Sequence, residues 1–393
     1  MLIVDCDVVL PDRVIRNGAV LAADGKILYA GPVGRLQGPL PTTCTRIVAE
    51  GMLACPALWE NHLHGCGGVS TENMTGQSLL KMARFLSSKG IGAFMPTTVS
   101  DERHLASLGE ALESTADRLE LRGRVPGMHV EGPFVANVRR GAIPEKLLRA
   151  PSIETLQKLV ALSRGKIRVM TYAPELPGAA ALAERLTALG ILPSLGHSAA
   201  SYNELRACEG ISPLSVTHLW NGMSGVSHRE PGLAQWALLN REVFTELNCD
   251  GTHVHDAAVH LTLRARPWER IVVISDAVAP AGMPADGPAP ALYGKPLVAR
   301  GSGLFYEDSG VLVGSRFLVR DCIGRLVADF KVPVAGAVAM ATLNPARLLG
   351  FERKGALLPG YDADVALLSR DFQQCAFLAW EGRILFEDPG RRR

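Results

Sequence analysis

The sequence predicts an α/β chain: a (β/α)8 TIM-type barrel with a small β-sandwich domain formed by both chain termini. Three observations carry this. Eight short apolar runs alternate with stretches of 3.6-residue periodicity through the middle of the chain. Both ends read as short strands without helical periodicity. The chain also holds 40 glycines and 25 prolines, too many for a helical bundle and suited to a chain that turns often. With 393 residues, 47% apolar and 20% charged, it can bury a large core, which excludes intrinsic disorder. The expected organisation is residues 1–53 and 346–393 as the two parts of the small β domain. They flank a barrel over 54–345 that carries an insertion at about 281–314.

Taken in order, Leu2–Val4, Val8–Leu10, Ala19–Ala22 and Ile27–Ala30 are strand-like and are separated by Pro11-Asp12, Asp24-Gly25 and Gly31-Pro32. The eight barrel strands are expected at Cys55–Asn61, Ile91–Thr98, Val125–Val130, Ile167–Ala173, Ile191–Gly196, Leu214–Thr217, Val243–Cys249 and Ile271–Ser275. Helical periodicity lies between them at Ser78–Lys89, Leu105–Leu121, Ile153–Ser163, Ala179–Leu189 and Tyr202–Cys208. Strand–helix alternation over about the ~250 residues of a closed barrel favours that fold. A doubly wound sheet is the alternative, but His64-Gly65-Cys66-Gly67-Gly68 lacks its Gly-x-Gly-x-x-Gly spacing. Residues 281–314, rich in Gly and Pro, read as an inserted hairpin or loop. Ser315–Ala328 and Val334–Leu343 read as helical, and Ala363–Leu368, Ala376–Trp380 and Arg383–Phe386 as closing strands.

Charge and cysteine content narrow the function. Forty-one basic against 39 acidic residues give a net charge of +2, without the basic footprint of a nucleic-acid or anionic-membrane binder. The eight cysteines are scattered with no Cys-x-x-Cys pair, as reduced thiols of a cytoplasmic protein would be. The first ten residues lack a basic n-region and carry Asp5 and Asp7, so no signal peptide is expected. The longest apolar stretch, Val332–Leu343, is far short of the ~18 residues of a membrane span.

Polar residues fall at the ends of the predicted strands. His62 and His64 end the first, Glu131 the third, His197 the fifth, His218 the sixth and Asp276 the eighth. In a closed barrel these ends meet on one rim, where active sites are built. A single histidine there is weak evidence of a ligand. His62 and His64 are stronger together, because residues two apart on a strand face the same side. Six donors from five strands point to a metal. All are nitrogen or carboxylate oxygen, which suits a divalent ion, Zn²⁺ first, with Fe²⁺, Mn²⁺, Co²⁺ or Ni²⁺ as alternatives. Such an ion lowers the pKa of bound water to about 7 and polarises a carbonyl. Asp276, following an apolar strand, is the candidate general base; its structural alternative is a helix N-cap.

The segment Pro56-Ala57-Leu58-Trp59-Glu60-Asn61-His62-Leu63-His64-Gly65 resembles the first-strand motif of the amidohydrolase superfamily. His129-Val130-Glu131-Gly132-Pro133-Phe134, Leu195-Gly196-His197-Ser198, Thr217-His218-Leu219-Trp220-Asn221-Gly222-Met223, His228-Arg229-Glu230-Pro231-Gly232, Asp250-Gly251-Thr252-His253-Val254-His255 and Ser275-Asp276-Ala277 narrow it. In order along nearly the whole chain, these are similar to N-acetylglucosamine-6-phosphate deacetylases. The resemblance implies Glu131, His197 and His218 as ligands of one ion, with His62 and His64 available to a second, and Asp276 is counted with them as a metal-site residue. It implies Asp276 as catalytic acid/base. It implies Arg229 and His253 as phosphate-gripping residues, with Asn221, Gly222 and Ala142 as further substrate contacts. The substrate it implies is a phosphorylated N-acetyl amino sugar. Because part of the phosphate site comes from a neighbouring subunit in such enzymes, it also implies a homodimer.

One departure stands out. In Arg139-Arg140-Gly141-Ala142-Ile143-Pro144, the family usually has a substrate-polarising histidine where Ile143 stands. Isoleucine donates no hydrogen bond, so a contact of about 2–4 kcal/mol is missing or replaced. That leaves N-acetylgalactosamine 6-phosphate open as the substrate. A cyclic-amide hydrolase is a further reading, weakened because Met170-Thr171-Tyr172-Ala173-Pro174 offers no lysine to bridge two ions. A non-catalytic barrel scaffold should have lost ligands that are all present here. A serine hydrolase lacks its elbow, since Ser194-Leu195-Gly196-His197-Ser198 is not Gly-x-Ser-x-Gly.

Overall fold

A computed structural model describes residues 1–36, 44–284 and 291–389. It divides into two compact units. One comprises Met1–Glu60, Ala83–Phe94 and Val319–Arg393; the other comprises Asn61–Met82 and Met95–Leu318.

In the first unit both termini enter one eight-stranded sheet. Its path runs Arg383–Glu387, Cys375–Trp380, Val365–Ser369, Met52–Pro56, Leu2–Val9, Val14–Ala23, Lys26–Pro32, with Arg46–Val48 also paired to Leu2–Val9. The hairpin turns fall where the sequence places them. Asp24-Gly25 and Glu381-Gly382 both have positive φ at their two central residues, the backbone that matches strand twist in a two-residue loop. Ile3, Val8, Val20, Ile27, Ala54, Val365, Leu367 and Phe377 form the sheet's larger apolar cluster. Beside it Lys354 is buried. Its ammonium lies 2.9 Å from Asp362, 3.1 Å from Asp364 and 3.2 Å from Glu381, and 4.2 Å from the Trp380 ring centroid.

The other eight-stranded sheet is the barrel. Leu58–Leu63, Ile91–Val99, Met128–Glu131, Ile167–Tyr172, Leu192–Leu195, Ser215–Val216, Phe244–Asn248 and Ile271–Ile274 are neighbours in sequence order. These strands are apolar along most of their length because both faces are buried. Between the ends of the path, a parallel bridge joins Leu63 to Ala277 and the Asp276 amide donates to the His62 carbonyl at 3.0 Å. Helices Gly76–Ser87, Glu102–Ser114, Ile153–Leu162 and Ala179–Ala188 occupy the expected crossovers. Two begin on side-chain caps, Asp101 and Ser152, which accept from the first-turn amides.

Four expectations need correction. The run Cys55–Asn61 is two strands, Met52–Pro56 in the terminal sheet and Leu58–Leu63 in the barrel, so His62 lies inside the first strand and only His64 follows it. The helix expected at Leu105–Leu121 ends at Ser114, where Thr115 takes over as cap. Tyr202–Cys208 is one α turn followed by a 3₁₀ turn. Val334–Leu343 is a helix over Val334–Ala339, and a separate one runs over Leu343–Leu348. The insertion is a four-stranded antiparallel sheet of Ala291–Leu292, Lys295–Arg300, Gly303–Tyr306 and Leu312–Ser315; its residues 285–290 lie outside the described residues.

Candidate metal centre and active site

All six predicted donors come together in the second unit, and three of them share one backbone device. His197, His218 and Asp276 each sit two residues beyond their strands and have φ of 46°, 30° and 51°. This left-handed conformation is unfavourable for residues with a Cβ and persists where the surroundings over-determine it. Glu131 is the last residue of its strand. Gly222 (φ 56°) makes room for His197: a Cβ there would lie 2.8 Å from the ring Nδ1 and 3.0 Å from the Arg139 carbonyl.

The donors converge closely. Glu131 Oε1 is 2.9 Å from His197 Nε2 and 2.8 Å from His218 Nε2, and the two nitrogens are 3.1 Å apart. The other carboxylate oxygen, Oε2, is 3.3 Å from His64 Nε2. Asp276 Oδ1 lies 3.6 Å from His62 Nε2 and 3.5 Å from His64 Nε2. Three buried three-residue groups among the described residues could hold an ion: Glu131–His197–His218 and His62–His64–Asp276, which comprise the six donors, and His62–His129–Glu246 behind them. The Glu131 carboxylate touches both of the first two.

These residues fit a divalent ion on two grounds. First, ligands of a tetrahedral ion bound at ~2.0–2.1 Å stand ~3.3 Å apart, close to the triangle of Glu131, His197 and His218. Second, His62 Nε2 and Asp276 Oδ1 are buried without a hydrogen-bond partner among the described residues, and such atoms are costly unless something binds them. The His197 ring is oriented for ligation as well: Nδ1–H donates to the Arg139 carbonyl at 2.8 Å, which turns Nε2 toward Glu131 and His218.

The electrostatics point the same way. Burial works against a charged His62, yet Asp276, Glu246 and Glu131 raise it to about 10. Burial is likewise outweighed at His197, raised chiefly by Glu131. Despite burial, Glu131 is held well below the usual carboxylate range by His197, and Asp276 is lowered by His62 and His253. The carboxylates thus create a field that attracts cations. His129, by contrast, is pushed well below 6.5 by burial and by His62; it is a neutral neighbour held by Thr171 at 2.7 Å.

Five of the donors, His64, Glu131, His197, His218 and Asp276, line a cavity of about 240 Å³. Ala142, Asn221, Gly222 and His253 line it, as the sequence led us to expect. Ile143 lines it too, packing against Val99 and Val135 with Tyr293 beside them. The N-cap alternative for Asp276 fails, since no helix follows it. Arg229 is exposed and is not among the residues lining the cavity of its own chain. A larger cavity of about 630 Å³ shares Gly141, Ala142, Tyr293 and Val311 with the first but holds none of the six donors.

Sequence reasoning missed three contributors. Asp250, lowered to about 2 by the His253 hydrogen bond in spite of burial, accepts from His253 Nδ1 at 2.8 Å, and His253 Nε2 lies 3.4 Å from Asp276. Glu246 bonds His62; its signal was a lone charge inside the buried strand Phe244–Asn248. Leu292, Tyr293 and Val311–Val313 bring an apolar wall from the insertion, which no pattern in the sequence marks as facing the site.

Comparison with known proteins agrees with the geometry. The amidohydrolase family model matches residues 306–380. An N-acetylgalactosamine-6-phosphate deacetylase of Escherichia coli O157:H7 is 37% identical over 334 residues, covering 84% of this chain and 86% of that one. The N-acetylglucosamine-6-phosphate deacetylase of Bacillus subtilis (strain 168) is 30% identical over 382 residues, covering 94% and 93%. Among solved structures, the N-acetylglucosamine-6-phosphate deacetylase of Thermotoga maritima superposes with a TM-score of 0.83 at 26% identity, covering 99% of this chain and 100% of that one. A mutant of the Mycobacterium smegmatis enzyme, in complex with N-acetyl-D-glucosamine-6-phosphate, gives 0.86 at 25% identity, covering 98% and 99%. With a buried ligand set at the barrel rim and relatives matching end to end, this chain belongs to the N-acetylglucosamine-6-phosphate deacetylase family of metal-dependent amidohydrolases.

Proposed function

We propose that this chain hydrolyses the acetamide of N-acetylglucosamine 6-phosphate to glucosamine 6-phosphate and acetate. The observation that carries this is the triangle of Glu131, His197 and His218 with Asp276 beside it. Glu131, His197 and His218 would hold one divalent ion, Zn²⁺ by donor type, and His62, His64 and Asp276 a second. When bound, such an ion acidifies water and polarises the amide carbonyl. Asp276 accepts the proton of the attacking water at its buried carboxylate. As the tetrahedral adduct collapses and the C–N bond breaks, the same carboxyl returns that proton to the leaving nitrogen. His253, held by Asp250, orients Asp276 from the other side at Oδ2. Asn221, Gly222 and Ala142 shape the sugar pocket. Ile143 and the wall of Leu292 and Val313 exclude water around the acetyl group.

Arg229 binds the substrate phosphate, and its guanidinium suits phosphate oxygens. Its exposed position, away from its own cavity, supports delivery to the site of a second copy in a homodimer. Among the described residues no helix is long and apolar enough to cross a membrane, in keeping with a cytoplasmic enzyme.

A second reading, N-acetylgalactosamine 6-phosphate as preferred substrate, is favoured by the 37% identical Escherichia coli relative. A side-by-side assay of acetate release from both sugar phosphates decides between them through kcat/KM. Chelator should abolish release and added Zn²⁺ restore it; full activity in metal-free protein would remove the basis of the proposal.

A further inference from the structure

We infer that Glu246 is the positioning residue that sets ion affinity, holding one ligand from each of the two donor groups. This deepens the metal reading above and rests on it. Glu246 lies in the middle of the seventh barrel strand, Phe244–Asn248, and is only 3% exposed. A carboxylate, the one charge in a buried parallel strand, is costly to bury and persists only with partners.

Its partners are both at the site. Glu246 Oε2 is 3.1 Å from His62 Nδ1 and also 3.1 Å from the main-chain N–H of His218. The Glu246 carbonyl accepts from the next amide, Leu219, at 2.8 Å. One residue therefore grips two successive amides at His218, the position whose left-handed φ of 30° turns its imidazole toward Glu131.

The His62 bond fixes a tautomer. A carboxylate can only accept, so His62 Nδ1 keeps its proton when Nε2 gives up its own and turns its lone pair to an ion. That Nε2 is the buried atom without a hydrogen-bond partner, 3.6 Å from Asp276 Oδ1 and 3.8 Å from Glu131 Oε1. His129 packs edge-on against the same ring at a centroid distance of 4.6 Å, and Thr171 holds it there, so the imidazole has no room to flip away. A carboxylate behind a ligating histidine both orients the ring and raises its basicity, and losing one commonly costs 10–100-fold in metal affinity.

The test titrates Zn²⁺ into metal-free wild type, Glu246→Ala and Glu246→Gln against a competing chelator, with thermal melts of the metal-free forms. Glu246→Ala should bind Zn²⁺ 10–100-fold more weakly. Glu246→Gln should recover most of that, because its amide oxygen can accept the same two bonds. Unchanged affinity in Glu246→Ala overturns the inference, as does equal weakening in both variants with a matching loss of melting temperature, the mark of a merely structural role. Nitrogen-15 histidine spectra of the Zn²⁺-loaded wild type give an answer even if Glu246→Ala fails to fold: the His62 proton should be on Nδ1, and a proton on Nε2 refutes the idea. A wild type that binds no Zn²⁺ at all would instead be a failure of the metal reading itself.

Discussion

Replacing Asp276 with asparagine isolates the proton-transfer role from shape. Asparagine is nearly isosteric, so the cavity and the packing around it are kept. What changes is the oxygen that lies 3.6 and 3.5 Å from His62 and His64 and has no hydrogen-bond partner of its own. An amide oxygen in that place cannot take a proton from water at neutral pH. A positioned general acid/base contributes roughly 10²–10⁴-fold, or about 3–5 kcal/mol at 1.36 kcal/mol per decade. In the proposed reaction Asp276 serves twice in one turnover, on the attacking water and on the leaving nitrogen, so the upper half of that range is expected in kcat. KM should move far less, because Asn221, Gly222 and Arg229, the proposed sugar and phosphate contacts, are left in place. The assay is acetate release from N-acetylglucosamine 6-phosphate, with metal content measured on the same sample so that loss of an ion is not mistaken for loss of the base. A variant with full ion occupancy and kcat within tenfold of wild type would refute the assignment.

Other outcomes follow from the same geometry. Arg229→Ala should lower kcat/KM by roughly 10–100-fold, the value of one charge-assisted hydrogen bond to phosphate, mostly through KM. Mixing it with Asp276→Asn should regain activity if the arginine serves the partner's site, since one hybrid site is then intact; no recovery after subunit exchange argues against sharing. Asp364 beside Lys354 is raised from 3.8 to about 6, chiefly by burial and also by Asp362, against the pull of Lys354. A carboxyl raised in the folded state contributes stability that is full below about pH 3.8 and is lost as pH rises through about 6. Relative to Asp364→Asn, wild type should therefore gain about 2 kcal/mol in urea unfolding between pH 7 and pH 4. Identical pH slopes in the two proteins would contradict the burial argument.

The barrel and its ligand set were legible in the sequence because the signals that encode them are local. Buried parallel strands read as unbroken apolar runs, the crossover helices carry a 3.6-residue period, and His62-Leu63-His64 puts two imidazoles on one side of a strand. The strand ends then nominate Glu131, His197, His218 and Asp276 without any knowledge of distances. What the sequence could not decide was pairing. Met52–Pro56 and Leu58–Leu63 are both apolar, and only the partner strand Val365–Ser369 shows that the first belongs to a different sheet. The same limit hid Glu246 and Asp250, whose meaning lies in residues 184 and three positions away, and the insertion wall of Leu292 and Val311–Val313. Local composition sets which segments become strands, helices and turns, because burial and backbone preference act over a few residues. Which carboxylate faces which imidazole depends on strand register and on the meeting of the first and eighth strands, and those exist only once the chain has folded.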